Sequence, residues 1–182
     1  MAAIQYKSTE KLKTSLVKTI NHLTEHPESA KVTFSTTSEL VENVKVKSKA
    51  RDFEFTFDEP NDLGGNNSSP NPVEYLLASL GACQEILYGA YASVLGIPLD
   101  SVKVEVKGNL DLRGLFGLDS SIKAGLHHIH YETTLTSPAE KNVIDQLVET
   151  VEQNCPVLDT LLRPVAVTGN VIIQQTVPVT IQ

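Results

Sequence analysis

The spacing of apolar residues changes once along the first third of the chain. Between positions 10 and 25, Leu12, Leu16, Ile20 and Leu23 recur at intervals of three and four, the rhythm of an amphipathic helix, and "HPES" closes it. From Lys31 onward the period drops to two. "KVTFSTT" (31–37), "LVENVKVKS" (40–48) and "RDFEFTFDEP" (51–60) alternate apolar with polar residues and predict a meander of short strands. In the last of these, Arg51, Phe53, Phe55 and Phe57 fall on one strand face, which sets an arginine among phenylalanines.

"NDLGGNNSSPNP" (61–72) then gathers Asn, Asp, Gly, Ser and Pro into a loop. A long helix follows, "NPVEYLLASLGACQEILYGAYASVLGIP" (71–98). Asn71 is its N-cap, Pro72 its first residue and Glu74 the partner of a capping box; Gly96 and Pro98 end it. Beyond it, "SVKVEVKGNLDL" (101–112) and "HHIHYETTLT" (127–136) predict two strands around the loop "RGLFGLDSSIKAG". "SPAEKNVIDQLVETVEQNCPVLDTLLRP" (137–164) returns to helical spacing, with Cys155 at a helix end or kink before Pro156. The tail "VAVTGNVIIQQTVPVTIQ" has the alternation of strands. Strands segregated from helices predict an α+β fold, with an N-terminal helical extension over 1–30 and a single α+β domain over 31–182.

Composition narrows the partners. In 182 residues, 41% are hydrophobic and the net charge is −7, so the chain can build a core but has no cationic excess to neutralise phosphates or an anionic membrane. Neither a secretion signal nor an apolar run long enough to span a bilayer is visible, which predicts a cytoplasmic protein. His127, His128 and His130 lack a third metal ligand at suitable spacing.

The candidate chemistry lies in the two cysteines. Cys83 falls on or beside the buried stripe of the long helix, too far from that helix's own N-terminus for its dipole to favour a thiolate. A reactive thiolate there needs a cation, and Arg51 is the candidate, with Arg113 the runner-up. Gln84 could donate a hydrogen bond near the thiol or simply pack, and Glu85 reads as a solvated or interface charge. The alternative for Cys83 itself is inert space-filling.

The order "DEP…LGG…NPVEYLLASLGAC", then "NCPV", resembles the osmotically inducible protein C and organic hydroperoxide resistance (OsmC/Ohr) family, in particular its OsmC-like branch, over roughly residues 40–174. The resemblance implies an OsmC-like fold, antiparallel sheets packed on two long central helices in an intertwined homodimer with active sites at the interface. It implies a thiol-dependent peroxidase for organic hydroperoxides, with Cys83 peroxidatic and Cys155 resolving. An external dithiol would be the reductant, with no metal, haem or flavin. Its activating arginine maps by position onto Arg51. The family's active-site glutamate follows Asn-Pro directly, where this chain has Val73; Glu74 is the next residue, about half a turn out of phase with Cys83 and better explained as a cap. The competing reading is a non-catalytic OsmC-like dimer that binds an apolar ligand or a protein partner.

Overall fold

A computed structural model of the chain describes residues 5–175. Helix α1 runs Glu10–Glu25, as the spacing predicts, and Thr9 caps it by accepting the Leu12 N–H at 3.2 Å. No residue of α1 is buried. The segment before it is strapped onto the body of the protein: the Tyr6 N–H donates to the Asp100 carbonyl at 2.7 Å, and the Tyr6 hydroxyl to the Gly89 carbonyl at 3.3 Å.

The first sheet is an antiparallel meander of β1 (Thr37–Glu42), β2 (Lys45–Ala50) and β3 (Phe53–Phe57). Two expectations need correction here. Residues 31–36 form no strand: among the described residues they have no partner, and Phe34 stays 91% exposed. The run 40–48 is the turn of a hairpin rather than one strand, reversed at Asn43, whose φ is 43°. Asn tolerates this left-handed region better than most residues.

Arg51 is the second positive-φ turn residue, at 56°. It opens the tight turn between β2 and β3, so it leaves the alternation that was to place it among the phenylalanines. Its guanidinium instead lies over the Phe53 ring, 5.0 Å from the centroid, and the side chain is exposed. Phe55 and Phe57 do turn inward, where both pack edge-on or tilted against Tyr75 of the next helix.

Between β3 and that helix, residues 58–70 wrap around one carboxylate. Asp58, 1% exposed, accepts the N–H groups of Glu59, Asn66 and Ser68 and the Ser68 hydroxyl. The loop thereby delivers Asn71 as the N-cap of α2 (Pro72–Leu95). The capping box is complete, with Glu74 N–H to Asn71 Oδ1 at 2.9 Å and Asn71 N–H to Glu74 Oε2 at 2.8 Å. Gly96, at φ 71°, ends the helix.

The second sheet pairs β4 (Ser101–Asn109) with β5 (His128–Thr136), and the intervening loop holds a single turn of helix, α3 (Leu112–Leu115). The helical run after β5 divides into α4 (Lys141–Asn154) and α5 (Pro156–Leu162). Cys155 is extended at the joint because Pro156 has no N–H to continue the α4 ladder, and it takes the first position of a new helix instead. Tyr88 and Ala92 of α2 meet Leu147 and Val151 of α4 in one core cluster, closed by Leu99. After α5, residues 164–175 form no strand, and Val171, Ile172 and Ile173 are each at least 80% exposed. The rest of the strand-patterned tail lies outside the described residues.

Candidate active site

Both cysteines are free, and the fold brings them together. Cys83 projects from the middle of α2 onto a second core cluster made of Leu80, Cys155 and Leu158. Cys155 is 0% exposed; Cys83 is half-buried. The two thiols are direct neighbours in that cluster.

Burial pushes the Cys83 thiol up from its ordinary pKa. The Val157 N–H, donated to its sulfur, opposes that rise, and the neighbouring Cys155 adds to it. Val157 is the second residue of α5. Its N–H is one of the groups a helix start leaves unbonded, and here it is spent on a thiol from another helix. Sequence reasoning considered only the dipole of Cys83's own helix. The signal was present in "CPV", where Pro156 opens a helix as well as closing one.

The other candidates lie elsewhere within the chain. Arg51 is in its exposed turn and is not among the groups that shift the Cys83 thiol. Arg113 is committed to Asp111, with Nη2 at 2.6 Å from Oδ2. Glu74 is held by the cap and lines a cleft toward β4 with Ala78, Gly81 and Glu85. Glu85 is no solvated charge: its Oε1 accepts the Val104 N–H at 2.9 Å and satisfies the outer edge of β4. Gln84 is 1% exposed, and neither amide atom has a hydrogen-bond partner. Among the described residues, no group of three or more His, Cys, Asp or Glu is placed to hold a metal ion. No described helix is long and apolar enough to cross a membrane.

An apolar groove leads toward the thiols. A cavity of about 640 Å³ is lined by Val73, Leu76, Leu110, Leu112 and Leu115, among others, and shares Leu126, Ile129 and Leu161 with a second of about 290 Å³. The second is walled by Leu80, Tyr131 and Leu158. Leu80 and Leu158 are the side chains that enclose Cys155. The arrangement offers two sulfurs in contact, a backbone donor aimed at one of them, and an apolar approach.

The chain matches the family model described as OsmC-like protein over residues 65–169. No curated protein matches it. Among solved structures it is similar to an OsmC-like protein from Mycoplasma pneumoniae, at 21% identity, covering 72% of this chain and 89% of that one with a TM-score of 0.63. It is also similar to an organic hydroperoxide resistance protein OsmC from Legionella pneumophila, at 20% identity, 72% and 90% coverage and a TM-score of 0.55. An organic hydroperoxide resistance protein from Elizabethkingia anophelis aligns at 20% identity, with 71% and 88% coverage and a TM-score of 0.54.

Proposed function

The chain belongs to the OsmC-like protein family, and from that premise we propose that it is a thiol-dependent peroxidase for organic hydroperoxides. The observation that carries the reading is the direct contact of the only two cysteines, remote in sequence, beneath an apolar groove. Cys83 attacks the terminal peroxide oxygen, releasing the alcohol and leaving a sulfenic acid. Cys155 then displaces hydroxide to form a disulfide, and an external dithiol restores both thiols.

Burial favours the protonated thiol, so the first step needs a cation. We assign it to Arg51 of a second copy of the chain. The exposure of Arg51 at a hairpin tip, and of Val32, Phe34, Leu40, Val171 and Ile172 beyond the core, supports a homodimer in which such a turn reaches across. Glu74 has its cap to explain it and receives no catalytic role.

The raised Cys83 thiol favours a second reading, a binding protein whose groove takes an apolar ligand and whose cysteines stay reduced. One experiment separates the two. Pre-reduced protein is mixed with a slight excess of cumene hydroperoxide or of hydrogen peroxide, free thiols are counted and disulfides mapped by mass spectrometry. A Cys83–Cys155 disulfide forming faster with the organic peroxide, and absent in Cys83→Ser and Cys155→Ser, supports the peroxidase. Thiols that survive both oxidants support the binder.

A further inference from the structure

Beside the thiol pair runs a line of polar groups that the steps above leave unused. Tyr131, on β5, packs on the cluster of Leu80, Cys155 and Leu158. Its hydroxyl donates to Glu152 Oε1 at 2.8 Å. Glu152 is exposed and stands on α4 about one helical turn before Cys155. From α2, the residue after Cys83 joins this line: the buried amide of Gln84 lies beside Tyr131, and neither of its polar atoms has a hydrogen-bond partner. A buried amide without bonds is unfavourable, and an apolar side chain of similar size would suit a purely packed position better.

We propose that Tyr131, held by Glu152 and met by Gln84, is a positioning residue for Cys155 that gives its thiol proton a route to solvent when it attacks an oxidised Cys83. The inference rests on the two-cysteine reading above. In that step a bond forms between the two sulfurs as the S–O bond of the Cys83 sulfenic acid breaks. The Cys155 sulfur is oxidised and the Cys83 sulfur reduced. The thiol proton passes by way of the Tyr131 hydroxyl to the Glu152 carboxylate and on to solvent, while the departing hydroxide takes a proton, so the net product is water. Burial, with the Glu152 carboxylate beside it, pushes Tyr131 up to about 12, which keeps its O–H in place. Around it stand Glu152 from α4, Gln84 and Tyr88 from α2, and Cys155 at the joint, with Val106 opposite on β4.

The test needs no peroxide. One equivalent of Ellman's reagent is added to the pre-reduced full chain. The first thionitrobenzoate released marks a mixed disulfide on half-buried Cys83, and the second marks its displacement by Cys155. In Tyr131→Phe, which keeps the ring, and Glu152→Gln, at an exposed site, the first release keeps its rate. The second slows at least about tenfold near neutral pH and then climbs about tenfold per pH unit as hydroxide takes over, a climb the parent protein lacks. A second release unchanged in either variant, or a parent chain that releases only one equivalent, overturns the proposal. If the variants slow the second release while cumene hydroperoxide leaves the parent thiols intact, the peroxidase reading falls and this one stands.

Discussion

The main-chain N–H of Val157 donates to the sulfur of Cys83, tying the first turn of α5 to the middle of α2. A hydrogen bond to a developing thiolate is stronger than one to a thiol, so this contact sets how readily Cys83 reacts. Val157→Pro removes the donor at a helix position where proline's φ is acceptable. Alkylation of Cys83 by iodoacetamide near neutral pH is expected to slow about tenfold, the equivalent of one charge-assisted bond, with the fold retained by circular dichroism. An unchanged rate would show that the contact does nothing for reactivity.

Glu74 separates cap from catalysis. Glu74→Ala removes one half of the capping box and is expected to destabilise the protein by about 1 kcal/mol in urea unfolding. Glu74→Gln retains the acceptor and loses little. Both are expected to leave the rate of Cys83 alkylation unaltered; a drop in that rate without a drop in stability would return Glu74 to the site.

Alkali is expected to weaken the fold. Cys83, Tyr88 and Tyr131 are all raised, chiefly by burial, and Tyr131 reaches about 12. Their neutral forms are favoured in the folded state, so the unfolded chain loses these protons first. Stability from this source is complete below the ordinary thiol value of about 8.5 and is lost as pH rises through the folded values. Urea midpoints measured from neutral pH upward should fall, and Cys83→Ser should flatten the early part of the fall.

Acid acts through Asp58, whose carboxylate the Ser68 hydroxyl and three backbone N–H groups hold at about 2. Its stabilisation is present above the unfolded value of about 3.9 and lost as pH falls toward the folded one. Asp58→Asn cannot accept all of these bonds and is expected to lower Tm by several degrees near neutral pH. The midpoint of the variant should also depend less on pH between roughly 4 and 2. Equal acid sensitivity in parent and variant would place the effect elsewhere.

Gly89 holds the N-terminal strap. A Cβ there would lie 3.0 Å from the Tyr6 hydroxyl, the far end of a side chain that can swing away. Gly89→Ala is therefore expected to release residues 5–9 while α2 stays folded. Amide exchange should quicken at Tyr6, which now donates to Asp100, and remain slow at Ala92.

How much of this was readable beforehand depends on whether the information was local. The α2 capping box, its glycine stop and the break at Cys155 are set by neighbours within a turn, and the structure reproduces each. Arg51 was misplaced because alternation alone cannot distinguish a strand residue from the first residue of a tight turn, and a positive φ at arginine leaves no local mark. Residues 31–36 and 164–175 have strand spacing, but spacing does not supply a partner, and none stands against them among the described residues. Glu85, expected as a solvated or interface charge, bonds a β4 edge that is distant in sequence. The meeting of Cys83 with Cys155 and Val157 likewise depends on how three helices pack.

The position of Cys155 has a mechanical meaning. It is the single extended residue between two helices, capping the end of one and the start of the next, so a bond from it to Cys83 would fix a hinge to a beam rather than link two rigid rods. Closing a chain segment of that length stabilises a fold by about 4 kcal/mol in the loop-entropy account. The freedom lost would be that of α4 to turn against α5. An oxidant arriving at this thiol pair would thus stiffen the whole helical side of the protein, and a reductant would let it breathe again.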